Sequence, residues 1–208
     1  QTNGTVTAAA AGITISGTTT DVKAAIVTEA TKAVMTSGKV RLTDTGTVAA
    51  TVLSGIGAVT EGTVTVNGAM TISGSTEEIK NALVTESSKV IATTSANVTF
   101  VGDNPTGAEL ADINTAAGGT ITLANDAQTF TGSAAVMKEA FTGGLANTQT
   151  GAVKISDTEG TIAATVLTDI TSQTNGTVTA ASSGITITGT TTDVKAAIVT
   201  EATKAVMT

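Results

Sequence analysis

The sequence predicts an α/β repeat solenoid: about seven stacked strand–strand–helix coils of roughly 28 residues, with parallel β ladders. Three observations predict it. First, the chain returns to its own beginning. Residues 173–208 repeat residues 1–36 with three differences: Ala10 against Ser182, Ala11 against Ser183 and Ser16 against Thr188. The offset is 172 residues. Second, the tetrapeptide GTVT or GTIT begins at Gly4, Gly62, Gly119 and Gly176, which cuts that block into units of about 57 residues. Third, each unit divides again, because short β-branched segments twice precede a short segment with helical spacing. The expectation is one continuous solenoid segment over residues 1–208.

Taken in order, the coils fall on residues 5–32, 33–59, 63–89, 90–118, 120–147 and 148–173, and a seventh begins at Thr177. The second strand of each carries a period-two pattern. Its apolar positions are Ile13 and Ile15, Val40 and Leu42, Met70 and Ile72, Val98 and Phe100, Val153 and Ile155, and Ile185 and Ile187. Coil five keeps Phe130 but has Gln128 where an apolar residue is expected. Strand side chains alternate faces, so these should point inward. Thr14, Arg41, Thr71, Thr129 and Lys154 should then line one exposed row.

The segments that follow read as short helices. Coil one offers Val22, Ala25 and Ile26, and coil two Val48, Val52, Leu53 and Ile56. Coil three offers Ile79, Ala82 and Leu83, and coil six Ile162, Val166, Leu167 and Ile170. These spacings make one apolar stripe per helix. Thr, Ser, Asp or Asn should cap each start. Ser75 before Glu77 and Glu78 is the clearest case, with acids in the first turn where the helix dipole favours them. Such helices are too short to persist alone, so they must dock on the strands. Each coil is likewise unable to bury its apolar face alone, and like strands of neighbouring coils should pair in parallel.

Composition excludes several functions. The net charge is −7, and the ten Lys and Arg residues are scattered, which argues against a polyanion partner. No apolar run reaches the length of a membrane span. There is no Cys, His, Trp or Tyr, and Phe occurs only three times, so the core must be aliphatic. A catalytic site needs convergent titratable groups, and none is visible, so neither enzymatic activity nor a cofactor is expected.

Several residues nonetheless invite a reading as sites. Asp44 and Asp157 recur at the turn before the helix, with Asp103 nearby in coil four. A carboxylate column suits calcium, but calcium takes six to eight oxygens and the GGxGxD phrase of calcium-binding β-helices is absent. Turn formation and helix capping account for them, and no metal site is expected. The pairs Thr5/Thr7, Thr63/Thr65, Thr120/Thr122 and Thr177/Thr179 would stack, which raises ice binding. They occur only in alternate coils, with Met35 or Ala92 nearby in the others, and Arg41 and Lys154 interrupt the second-strand row. A soluble, hydroxyl-coated strand face is the simpler reading. Asn3-Gly4-Thr5, Asn97-Val98-Thr99 and Asn175-Gly176-Thr177 match the glycan-acceptor pattern. Gly102–Thr106, which holds the only proline, Pro105, and the stretch with Phe141, Gly143 and Gly144 are irregular turns.

The phrases VRLTDTGTVAATVLSGI, VKISDTEGTIAATVLTDI and ITITGTTTDVKAAI resemble Thr-, Ala- and Gly-rich tandem repeats of giant cell-surface proteins of marine cyanobacteria, some linked to swimming. The resemblance implies an exported surface or filament protein and carries over no catalytic residue. The function expected is that of a structural repeat segment in an extracellular fibre, sheath or giant surface protein, a stiff extended rod. The alternative is the stalk of an adhesin or carbohydrate-binding surface protein. Partners would be neighbouring coils or identical copies end to end. Neither end of the sequence resembles a polar capping repeat, so a continuous rod is expected, one giant chain in preference to a polymer of short ones.

Overall fold

The computed structural model describes residues 6–8, 12–28, 33–35, 37–66, 70–85, 90–92, 96–143, 145–146, 149–180, 183–200 and 205–207. They form an α/β fold in two compact units. One comprises Gln1–Gly102 with Ala116–Ile121, the other Asp103–Thr115 with Thr122–Thr208.

The first unit opens with β1 (Val6–Ala8), β2 (Thr14–Gly17) and α1 (Thr19–Val22), which continues as a π-helical turn over Lys23–Thr28. Next come β3 (Ala33–Met35), β4 (Lys39–Leu42), β5 (Thr47–Ala49) and α2 (Ala50–Ala58). Coil three supplies β6 (Val64–Val66), β7 (Thr71–Gly74) and α3 (Thr76–Leu83), and coil four β8 (Val90–Ala92) and β9 (Ala96–Phe100). α4 (Gly107–Ala117) leads into β10 (Gly118–Thr122). The second unit continues with β11 (Phe130–Gly132), α5 (Ala134–Phe141), β12 (Val153–Ile155), β13 (Gly160–Ala163) and α6 (Ala164–Ser172). It closes with β14 (Val178–Ala180), β15 (Ile185–Thr188), α7 (Thr191–Lys195) with a π-helical turn over Ala196–Thr200, and β16 (Ala205–Met207).

Strands pair in parallel with a strand of the next coil, at steps from 23 residues (Phe130 to Val153) to 27 (Val6 to Ala33). The expected uniform ladder of like strands does not form. In the first unit the sheets run β1-β3, β2-β4-β6-β8 and β5-β7-β9-β10; in the second they run β11-β12-β14-β16 and β13-β15. Coils two and six each contribute an additional strand, β5 and β13. The second strand of coil two therefore pairs upward with the first strand of coil three, Val40 opposite Val64. Coil six repeats the shift, with Val153 opposite Val178.

β5 and β13 correct the sequence reading, which put Val48 and Ile162 on helix stripes. Val48 pairs with Ile72, and Ile162 with Ile187. The parallel neighbour supplies bonds that a first helical turn would lack. α2 and α6 consequently start at alanines, after Ala49 and Ala163, with no side-chain cap. The expected caps are present elsewhere: Thr18, Ser75, Ser133 and Thr190 each accept a backbone N–H. Ser75 and Glu78 form a reciprocal capping box.

The core is mostly aliphatic, as the composition requires, with the three phenylalanines buried in it. Val40, Leu42, Met70, Ile72, Val98, Phe100, Phe130, Val153 and Ile155 are all buried, so the strand register is as predicted. Stripe residues Val22, Ile26, Leu53, Ile56, Ile79, Ala82, Leu83, Leu167 and Ile170 are buried too, while Val52 and Val166 are half-buried. The two terminal copies depart from the pattern. Ile13 is exposed, and Ile15, Ile185 and Ile187 are half-buried. β2 and β15 each have a single partner strand, so each is covered on one side only. Ala25 is exposed for the same reason. In the second unit Phe130 and Phe141 meet edge to face, with ring centroids 5.4 Å apart.

Candidate functional site

Of the groups that sequence reading singled out, Asp44 and Asp157 lie at seams between coils. Asp44 reaches back to the helix of the preceding coil. The Thr19 N–H donates to Asp44 Oδ2 at 2.7 Å and the Thr19 hydroxyl to Oδ1 at 2.9 Å. In the second unit the Ala134 N–H donates to Asp157 Oδ2 at 2.7 Å. Both aspartates cap helices, but not the ones that follow them in sequence. β5 and β13 separate them from α2 and α6, and their carboxylates instead meet the positive ends of α1 and α5. Asp103 is exposed. Among the described residues no cluster of three or more His, Cys, Asp or Glu is placed to hold a metal ion.

A second seam device recurs 114 residues apart and escaped sequence reading. The Thr60 hydroxyl donates to the Gly38 carbonyl at 2.6 Å and accepts from the Gly62 N–H at 3.0 Å. The Thr174 hydroxyl has two acceptors for its one proton, Gln149 Oε1 at 2.6 Å and the Gln149 carbonyl at 2.8 Å, and it accepts from the Gly176 N–H at 2.8 Å. Gln149 and Thr174 are both fully buried, and Gln149 Nε2 donates to the Gln128 carbonyl. The repeated phrase Thr-x-Gly was the available signal. The glycines of that phrase open two of the four tetrapeptides noted above, and they let one backbone lie directly against the next.

The irregular turn at Gly102–Thr106 is also used in bonding. Asn104 Oδ1 accepts the N–H groups of Ala124 and Asn125, and Gln128 Nε2 donates to the Pro105 carbonyl at 3.0 Å. This accounts for a glutamine at a position where an apolar residue was expected. Gly143 adopts φ of 82°, a value glycine reaches without strain; Gly144 lies outside the described residues.

The threonine pairs do not stack into an array. Thr65 lies in register between Arg41 and Ile91, and Thr179 between Lys154 and Val206. The shift introduced by β5 and β13 mixes first and second strands in one ladder. The expected outward row is likewise split. Thr14, Arg41, Thr129 and Lys154 are exposed and Thr71 half-buried; Thr14 and Arg41 share one sheet, but Thr71 and Lys154 lie in two others and Thr129 in none. Thr7, Thr120 and Thr177 are exposed, and Thr63 and Thr122 are half-buried. Asn97 Oδ1 accepts the Thr120 N–H at 2.9 Å, while Asn175 is exposed in its turn. Asn3, Gly4 and Thr5 lie outside the described residues.

One groove lies in the first unit, lined among others by Thr19, Thr20, Lys23, Asp44, Val48 and Val52. Both oxygens of its single carboxylate accept hydrogen bonds from Thr19. Beside that pair it contains further hydroxyls and one ammonium group. In the second unit Lys138 and Asp169 pair at 3.0 Å, both partly exposed. Among the described residues no helix is long and apolar enough to cross a membrane. Neither a protein-family model, nor a curated protein, nor a solved structure matches the chain.

Proposed function

We propose that this chain is a structural repeat segment of an extracellular fibre, sheath or giant cell-surface protein. Its working parts are the seams themselves. Coils stack as a solenoid, the seams are joined by parallel backbone pairing and apolar contact, and two of them add a cross-coil helix cap. A rod built this way resists bending because deformation strains every rung at once.

The observation that carries this reading is the behaviour of the duplicated segment. The described residues of 6–28 and 178–200 fold alike: a three-residue strand, a four-residue strand, a short helix capped by Thr18 or Thr190, then a π-helical turn. One lies beside coil two, the other beside coil six. Coils two and six share the additional strand before the helix, β5 in one and β13 in the other, so one block of six coils is fit to follow another. The surface and cyanobacterial part of the reading rests on the resemblance of the repeat phrases.

Fibre diffraction or helical reconstruction of native material tests the proposal. The expected result is an axial spacing of about 4.8 Å with a longer repeat near 29 Å, six parallel-strand spacings. Compact particles with no such spacing would overturn it. Mass under denaturing conditions separates a giant chain, which is the form expected, from a polymer of short ones.

A further inference from the structure

The connector into coil seven lies so close to coil six that one position must be glycine. A Cβ on Gly176 would run into the Gly151 carbonyl, which is main chain and cannot rotate aside. Gly176 is buried, and the residue before it, Asn175, is exposed. The seam therefore fixes an Asn-Gly bond. Glycine has no Cβ to obstruct its own nitrogen, so this is the pair in which the backbone most easily reaches the asparagine side chain. In an open chain the Gly176 nitrogen, once it has lost its proton to hydroxide, attacks Asn175 Cγ. A bond from nitrogen to Cγ forms, the bond from Cγ to Nδ2 breaks, and the side-chain nitrogen takes a proton from water and leaves as ammonia. One water then opens the five-membered imide at either carbonyl, giving Asp or its isoaspartyl isomer.

The folded chain restrains each part of that reaction. The Gly176 N–H donates to the Thr174 hydroxyl at 2.8 Å, so the attacking nitrogen holds its proton in a buried bond, away from hydroxide. Thr174 is fully buried, and Gln149 anchors its hydroxyl in turn. The Asn175 N–H donates to the Gln149 carbonyl at 2.7 Å, which ties the residue that would have to rotate. We infer that Asn175 is a latent modification site, a succinimide-forming bond that the Thr174 hydroxyl holds shut while the seam stays closed. The related seam at Thr60 shows what is particular here. The Thr60 hydroxyl accepts the Gly62 N–H at 3.0 Å in the same way, but the residue between them is Glu61. A glutamate carboxylate has no ammonia to release, so at that seam the hydroxyl only joins the coils. Reaction at Asn175 runs one way. The isoaspartyl product lengthens the main chain by one carbon and replaces an amide with a carboxylate, so the bonds to Gln149 and Thr174 cannot both re-form in register. A seam that stays open long enough is marked permanently.

Peptide mass mapping of the aged chain tests the inference, with conversion of Asn175 to Asp and isoaspartate as the readout. The chain is held at mildly alkaline pH in buffer and, in parallel, in denaturing urea. Asn175 should convert at least about tenfold more slowly in buffer, the factor that one net hydrogen bond at the strong end of the range supplies. Equal rates overturn the inference. In buffer, Thr174→Val should speed conversion by about the same factor, and Thr174→Ser, which keeps the hydroxyl, should stay near the parent rate. Met137→Ala empties a fully buried position in the same unit and leaves Thr174 in place. It too should stay near the parent rate. Thr174→Val converting at the parent rate, or Met137→Ala converting as fast as Thr174→Val, overturns the assignment to the hydroxyl. Should Thr174→Val not fold, the parent chain in graded urea decides. Conversion at Asn175 should rise in step with amide exchange at Gly176, and conversion that rises while the Gly176 N–H stays protected overturns the inference.

Discussion

An alanine at Gly62 would force its methyl group into the backbone of the preceding coil. A Cβ there would sit 2.3 Å from the Gly38 carbonyl oxygen, 2.7 Å from its carbon and 2.9 Å from the Ser37 oxygen. Comfortable contacts of this kind lie near 3.5 Å, so the overlap is about an ångström. All three obstacles are main chain, and no side chain can rotate to make room. The surrounding backbone is also tied down, because the Val40 N–H donates to the Thr63 carbonyl at 2.9 Å and the Thr60 hydroxyl holds the Gly38 carbonyl. Relief requires the coils to separate locally. Overpacking costs about 1–3 kcal/mol, and a strained hydrogen bond adds about 1 kcal/mol. A loss of roughly 3 kcal/mol corresponds to about 6–12 °C in melting temperature for a chain of this size. Gly55 is the matched control. It lies inside α2 with nothing within 4 Å of its would-be Cβ. Gly55→Ala should stabilise by about 0.5–1 kcal/mol, since alanine is the better helix former. Thermal and urea melts followed by circular dichroism read both. Gly62→Ala melting with the parent chain, or shifting in the same direction as Gly55→Ala, would refute the close-approach argument.

Ser75→Ala removes the side-chain half of the α3 capping box and should cost about 1 kcal/mol by urea midpoint; an unchanged midpoint would count against the cap. Asp44→Ala should cost about 1.5–3 kcal/mol and speed amide exchange at Thr19, one coil away in sequence. Exchange altered at the start of α2 instead would restore the sequence-based assignment of that aspartate. Ile56→Ala should cost about 2–5 kcal/mol, because its fully buried side chain leaves a cavity. Melts with and without a chelator should superimpose; a large fall in melting temperature with chelator would reveal a metal in the fold.

The sequence by itself determined the repeat, the α/β class and the strand register. Those follow from local facts: a duplicated segment, a period-two alternation such as Val40-Arg41-Leu42, and caps such as Ser75 three residues before Glu78. Each is set within a few residues and survives whatever packs around it. Tertiary structure decided which strands pair and what each seam residue does. Val48 and Ile162 fit a helix stripe as well as a strand, and only the parallel neighbours Ile72 and Ile187 settle the matter. Asp44 looks like a cap for the next helix, yet the carboxylate serves the helix 25 residues earlier, because β5 intervenes. Gly62 is only the start of a repeated tetrapeptide until the Gly38 carbonyl is found against it. The reason is common to all three. Local preference fixes the shape of one coil, whereas pairing and contact energies belong to two coils at once and cannot be read from either alone. The duplicated segment makes the distinction visible in one molecule: the same elements form twice, yet Val22 and Ile26 are buried while their counterparts Val194 and Ile198 are half-buried, according to which neighbours pack against them.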